Sequence, residues 1–378
     1  MRIAFYVKEV LPWEGSIQAL LAVLAEGLSN RAEITVITES VQGGFENAAS
    51  RYRVVRKPGW KHLAQLFREA DVVHLSGPAL APLVLGLLLK KPVVVEHHGF
   101  QSACPNGLLF HEPTQLPCPG HFMAGHHGEC LRCIGEANWF KTVALWALTF
   151  PRRWLCRRAA YNIAPTDWVA QVMHLPRTVT IHHGIQPPNG AVGQTAGGEG
   201  FCFVGRLVST KGAHVLLEAA RLLRESGERF ELRIIGEGPR LDSLKEQACR
   251  SGLQETVRFL GYLPPAELEK ELNECLGVIM PSLGGEAFGL VAAESMARGR
   301  ATVVASLGSL HEVVGDCGLS VPPGDAVALA ESMRRLLREP TLVRELRLAG
   351  PKRVRQSFLR EGMIERHWEV YQRAAGCQ

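Results

Sequence analysis

A chain of 378 residues is long for one hydrophobic core and comfortable for two, and a net charge of +5 is too mild and diffuse to argue for nucleic acid. The 46% hydrophobic and 21% charged content is that of a globular protein, and no apolar run reaches the ~18 residues that span a bilayer. The ten cysteines lack the framework of a small secreted scaffold and the chain opens on a strand rather than a signal peptide, so a cytoplasmic protein with reduced thiols is expected.

Along the chain, strands alternate with helices. Arg2–Val7 reads as a strand, Ile17–Leu28 as a helix and Glu33–Thr38 as a strand. Val72–Leu75 and Val93–Glu96 are further short apolar strands, and the proline-interrupted run Pro78–Leu89 is a helix on the sheet. Such alternation means an α/β protein whose mostly parallel sheet is covered on both faces. His97-His98-Gly99 ends the strand Val93–Glu96. A histidine at a C-terminal strand edge can hydrogen-bond a hydroxyl or shuttle a proton, or it can be structural.

The segment from Gln101 to Gly135 has little core-forming pattern and holds Cys104, Cys118, Cys130 and Cys133. Four thiolates with one C-x-x-C are compatible with a tetrahedral structural zinc. A second C-x-x-C is missing, and a disulfide or unligated cysteines in a flexible lid fit as well. Trp139–Arg158 sets aromatic residues beside Lys141, Arg152, Arg153, Arg157 and Arg158. That pairing suits the headgroups of an anionic bilayer, and equally a helix packed on the sheet with its arginines in water.

A Gly- and Pro-rich stretch over 188–200 reads as a linker between residues 1–187 and a second alternating domain over 201–355. Its first strand, Phe201–Val204, breaks at Gly205 into a loop with Arg206 and Lys211 before a helical pattern. Arg supplies a planar fork of donors and Lys a compact charge, which suits a diphosphate, though a solvated surface pair is the competing reading. The spacing is neither a Walker A loop nor G-x-G-x-x-G. Further on, the strand Gly277–Met280 leads through Gly284, Gly285 and Glu286 to the helical run Leu290–Arg298, which contains Glu294. Amides at the helix start favour an anion, and two carboxylates accept from hydroxyls. A ligand with both phosphates and hydroxyls, a nucleotide sugar, fits the combination.

FVGRLVSTKGAHVLLEAA, RIIGEGP, the Glu286/Glu294 segment and SLHEVVGDCGLSVPPGD, in that order, resemble glycosyltransferase family 4, strongly over residues 200 to 330 and more loosely before. The resemblance implies retaining, nucleotide-sugar-dependent enzymes of GT-B architecture, with two Rossmann-like domains facing across a cleft. It implies that residues 356–378 form a helix crossing back to the N-terminal domain. In the resembling enzymes Arg206 and Lys211 neutralise the donor diphosphate with help from amides near Phe288, Gly289 and Leu290. Glu286 and the Gly285 loop meet the transferred sugar, and Glu294 meets the ribose. The family usually has a Gly-Gly pair near the phosphates after the first strand; Gly15 is kept here, and Ser16 replaces the second glycine. It also has a histidine at the position of His98, followed in one subgroup by Cys-Pro as in Cys104-Pro105.

The five aspartates form no D-x-D, the motif that holds a divalent ion on the phosphates in the other common glycosyltransferase fold. A metal-independent reaction is therefore expected, with the Arg/Lys pair in the ion's place. The function that follows is sugar transfer from a nucleotide diphosphate sugar to a glycan or lipid-linked acceptor, at the inner face of a membrane if the basic aromatic helix binds one. The alternatives are a sugar-nucleotide epimerase of the same fold, or a non-catalytic module that uses the cysteine insert for assembly.

Overall fold

The computed structural model describes residues 1–8, 16–40, 51–134, 138–188, 198 and 200–376. Its strands, in chain order, are β1 (Arg2–Val7), β2 (Glu33–Thr38), β3 (Arg53–Arg56), β4 (Val72–Ser76), β5 (Val93–Glu96), β6 (Phe110–His111), β7 (Leu116–Pro117), β8 (Tyr161–Ala164), β9 (Thr178–Thr180), β10 (Gly200–Val204), β11 (Glu231–Ile235), β12 (Val257–Gly261), β13 (Gly277–Met280), β14 (Ala301–Ala305) and β15 (Leu319–Val321). They fall into two compact units. The first comprises Met1–Gly107, Gly120–Gly184 and Leu359–Gln378, and the second Leu108–Pro119 and Ile185–Phe358.

The first unit holds a parallel sheet in the order β3-β2-β1-β4-β5-β8-β9. Its central strands are almost wholly buried, as strands covered on both faces must be, and so read as continuous apolar runs. The last helix, Arg360–Ala374, belongs to this unit and buries Met363, His367, Val370 and Tyr371. It lies against the helix Ser16–Leu28, where a Cβ at Gly27 would press on the Ile364 side chain. Arg31 and Glu365 pair at 2.6 Å beside that contact.

The second unit repeats the plan as β12-β11-β10-β13-β14-β15, again parallel. Both sheets have the Rossmann-like order, in which the chain reverses its direction of winding between the unit's first strand and its fourth. That reversal, between β10 and β13 here, opens a crevice at the carboxyl ends of the two strands. The hairpin β6-β7 packs on this unit, with Phe110 wholly buried as a member of its core cluster. The stretch read as a linker, 188–200, lies outside the described residues except for 188, 198 and 200.

Candidate active site

In the second unit the loops after β10 and β13 are fastened to each other. Thr210 O accepts from the amides of Leu283 (2.7 Å) and Gly284 (3.0 Å). Gly212 has φ +69°, and a Cβ there would overlap the Pro281 carbonyl oxygen, so only glycine permits the approach. On its other flank the loop after β13 is held by the hairpin, because the Gly285 amide donates to Leu108 O at 2.6 Å.

This bracing brings Lys211 and Glu286 together across 75 positions of sequence. Lys211 Nζ forms an ion pair with Glu286 Oε1, and Ser282 Oγ donates to the same oxygen at 3.1 Å. The pair is open to solvent, with the Lys211 side chain 31% and the Glu286 side chain 15% exposed. Arg206 is exposed on the same loop as Lys211, two positions beyond β10. Gly289, at φ +95°, caps the helix Leu290–Ala297, and its carbonyl accepts from the amides of Ala292 (3.0 Å) and Ala293 (3.2 Å). Phe288 turns its ring inward against Phe358 (centroids 5.3 Å apart), which leaves its backbone to the loop. Glu294 is half-buried one turn into the helix. A fixed cation, a carboxylate and a helix N-terminus thus stand at the switch point of one sheet.

The first unit gathers a different set at the end of β5. Glu96 is 4% exposed and surrounded by four imidazoles. His74 Nε2 lies 3.2 Å from its Oε2, His98 Nε2 3.6 Å from the same oxygen, and His367 Nε2 3.6 Å and His183 Nδ1 3.9 Å from Oε1. His183 stacks on His98 with centroids 5.5 Å apart. Tyr371 Oη contacts His74 Nδ1 at 2.9 Å, and the neighbouring His97 pairs with Asn162 Oδ1 at 3.0 Å. Burial alone would raise the Glu96 carboxyl, but His98, His367 and His74 hold it well below the usual carboxylate range. Burial depresses His74 and His98 and pushes His97 down to about 4 and His183 down to about 3, so these imidazoles stay neutral at physiological pH.

Of the residues singled out from sequence, Lys211 and Glu286 meet directly, and His98 joins the Glu96 cluster. Gly15 lies outside the described residues. The cysteines do not assemble as the zinc reading requires: among the described residues, the group whose ligand atoms converge is Glu96, His98 and His183. Cys104 Sγ donates to Asn106 Oδ1 at 2.9 Å and Asn106 Nδ2 donates to Cys133 Sγ at 3.2 Å, while the Cys118 amide donates to Leu109 O. Cys130 is buried in the helix His127–Cys133, and no disulfide joins the described cysteines. The helix Trp139–Cys156 exposes Trp139, Phe140, Leu148, Phe150 and Trp154, with Arg158 stacked over the Trp154 ring. No helix among the described residues is long and apolar enough to cross a membrane.

Sequence reading missed Glu96, His74, His183 and His367. The signal was present only as a Glu-His-His run ending β5, and nothing local tied it to a histidine in β4, one after β9 and one on the last helix.

Two Rossmann-like units, each a parallel sheet with its own switch point, are the architecture of the GT-B fold. Residues 193–353 match the family model of Glycosyl transferases group 1. A glycogen synthase of Mycobacterium tuberculosis is 35% identical over 158 residues, which cover 41% of this chain and 38% of the relative. A phosphatidyl-myo-inositol mannosyltransferase of Mycobacterium leprae is 35% identical over 162 residues, 42% of each. The chain thus spans about two-fifths of the length of these curated relatives. Among solved structures, Anabaena HepE in complex with UDP-glucose superposes with a TM-score of 0.73 at 18% identity, covering 99% of this chain and 100% of that one. A sucrose-phosphate synthase from Thermosynechococcus elongatus gives 0.74 at 18% identity over both whole chains, and these likenesses establish the fold.

Proposed function

We propose that the chain is a retaining glycosyltransferase that moves a sugar from a nucleoside diphosphate sugar to a glycan or lipid-linked acceptor. The observation that carries this reading is the Lys211–Glu286 pair, held open at the switch point by loops that tolerate only glycine at Gly212. Arg206, Lys211 and the amides at Phe288, Gly289 and Leu290 take the diphosphate. Departure of the nucleotide builds negative charge there, so cations and dipoles fixed in advance stabilise the transition state more than the ground state. Donor entry divides the ion pair: Lys211 turns to phosphate oxygen and Glu286 to sugar hydroxyls, with the Gly285 loop beside it. Glu294 takes the ribose, and His98 shapes the sugar site. No step calls for a metal, because the Arg/Lys pair carries the charge that an ion would.

The donor is tested by thermal shift and slow hydrolysis against UDP-, GDP-, ADP- and dTDP-sugars. UDP-sugars come first, since the Anabaena neighbour is described with UDP-glucose. A shift with one donor in the wild type and none in Lys211→Ala is the expected result. Unchanged nucleoside diphosphate affinity in Lys211→Ala counts against the assigned role, and no shift with any donor favours a non-catalytic module.

The exposed Trp139, Phe140 and Trp154, together with Arg157 and Arg158, favour an acceptor presented at an anionic membrane surface at the inner face of the bilayer. Flotation with vesicles containing phosphatidylserine tests this; equal flotation of the wild type and Trp139→Ser/Phe140→Ser would remove the membrane from the account.

A further inference from the structure

We propose that Glu96, His98 and His183 form a binding site for one first-row divalent cation, of which zinc is the representative.

The ligand atoms these three residues offer all lie within 4.8 Å of one another. Glu96 Oε2 stands 3.6 Å from His98 Nε2, and Glu96 Oε1 stands 3.9 Å from His183 Nδ1. Both separations are too long for hydrogen bonds. They approach the spacing of about 3.3 Å between neighbouring ligands on a tetrahedral ion with bonds of about 2.0–2.1 Å. Two imidazoles and one carboxylate are the three-ligand set of open zinc sites, which leave a fourth position for water or substrate.

The surroundings agree with a site built for a cation. A carboxylate buried to this degree needs a counter-charge, and its ion-pair partners among the described residues are histidines alone. His98 Nδ1 is buried without a hydrogen-bond partner, and His367 Nε2 faces Glu96 Oε1 at 3.6 Å without bonding it. Native interiors rarely leave such nitrogens unsatisfied. Outer groups stand close by: His74 Nε2 lies 3.2 Å from Glu96 Oε2, and Tyr371 Oη contacts His74 Nδ1 at 2.9 Å, the kind of support that orients metal ligands. His183 is held in register by Gly184, where a Cβ would come within 2.6 Å of the Arg360 backbone.

The test uses the full chain, stripped with chelator and titrated with Co²⁺ and Zn²⁺ without any sugar nucleotide, so its outcome is separate from that of the transferase reading. We expect one equivalent of cobalt with a visible ligand-field band and no near-ultraviolet thiolate charge-transfer band, which distinguishes this site from the cysteines. Glu96→Gln, which keeps the side-chain shape, and His183→Asn should each lose affinity beyond the about 100-fold that outer-shell partners contribute. Melting temperatures in chelator establish that both variants are folded, and zinc should raise the melting temperature of the wild type but of neither variant. Retention of the equivalent by both folded variants, a spectrum dominated by thiolate bands, or no uptake by the folded wild type would each overturn the proposal.

Discussion

The two units put their chemistry at the same topological place, the carboxyl ends of parallel strands, and build it in opposite ways. In the second unit Lys211 and Glu286 sit on loops, partly exposed and paired so that a ligand can come between them. In the first, Glu96 is sunk among four histidines drawn from one strand, two loops and the last helix. An open pair pays little for desolvation and can exchange partners, whereas a buried cluster is costly to disturb and answers in stability. The same fold therefore keeps one set of charged groups within reach of solvent and buries the other.

Three substitutions break this comparison from the side of the second unit. The largest effect on folding is expected of Phe110→Ala, which empties a fully buried aromatic site where the hairpin enters the core and should cost about 3–5 kcal/mol. Denaturant titration measures it, and a loss under about 1 kcal/mol would show the hairpin to be an ornament of the unit, not a support of its donor loop. Glu286→Ala should lower transfer by ~10²-fold or more, about 3 kcal/mol in the transition state, with little change in melting temperature. Turnover near wild type would take the carboxylate out of the site. Gly212→Ala combines a left-handed backbone with a clash on Pro281 and should cost about 2–4 kcal/mol. Because Gly212 joins the two loops, donor affinity should fall with stability, and a variant that loses only stability would uncouple them.

How much was legible follows the same division. The second unit could be read because its elements are local: β10 and β13 are apolar runs ended by glycine, and the residues of each loop are contiguous. The Gly212 approach to Pro281 even shows why the motif contains that glycine. The strand β3 went unread because Arg53-Val54-Val55-Arg56 is an edge strand with only one wholly buried position. The hairpin β6-β7 lay hidden in a cysteine-rich stretch, where the cysteines drew attention and Phe110 did the anchoring. Glu96 could not be read as a centre at all, since its partners are up to 271 positions away, at His367, in a helix whose apolar stripe looks like ordinary packing.

The smallest expected effect sharpens the comparison most. Burial and the nearby Glu96 carboxylate push the Tyr371 phenol well above its ordinary range, so it stays protonated, and its Oη contacts His74 Nδ1 at 2.9 Å. With the phenol as donor, the His74 proton sits on Nε2, which faces Glu96 Oε2 at 3.2 Å. Tyr371→Phe keeps the ring in its place and removes only the end of this relay. The loss should be about 1 kcal/mol, a fall of about 2–4 °C in melting temperature. Transfer at low temperature should be unchanged, because no substrate group meets the phenol. A Tyr371→Phe enzyme that melts as the wild type but transfers slowly would mean that the buried cluster acts on the reaction through His98.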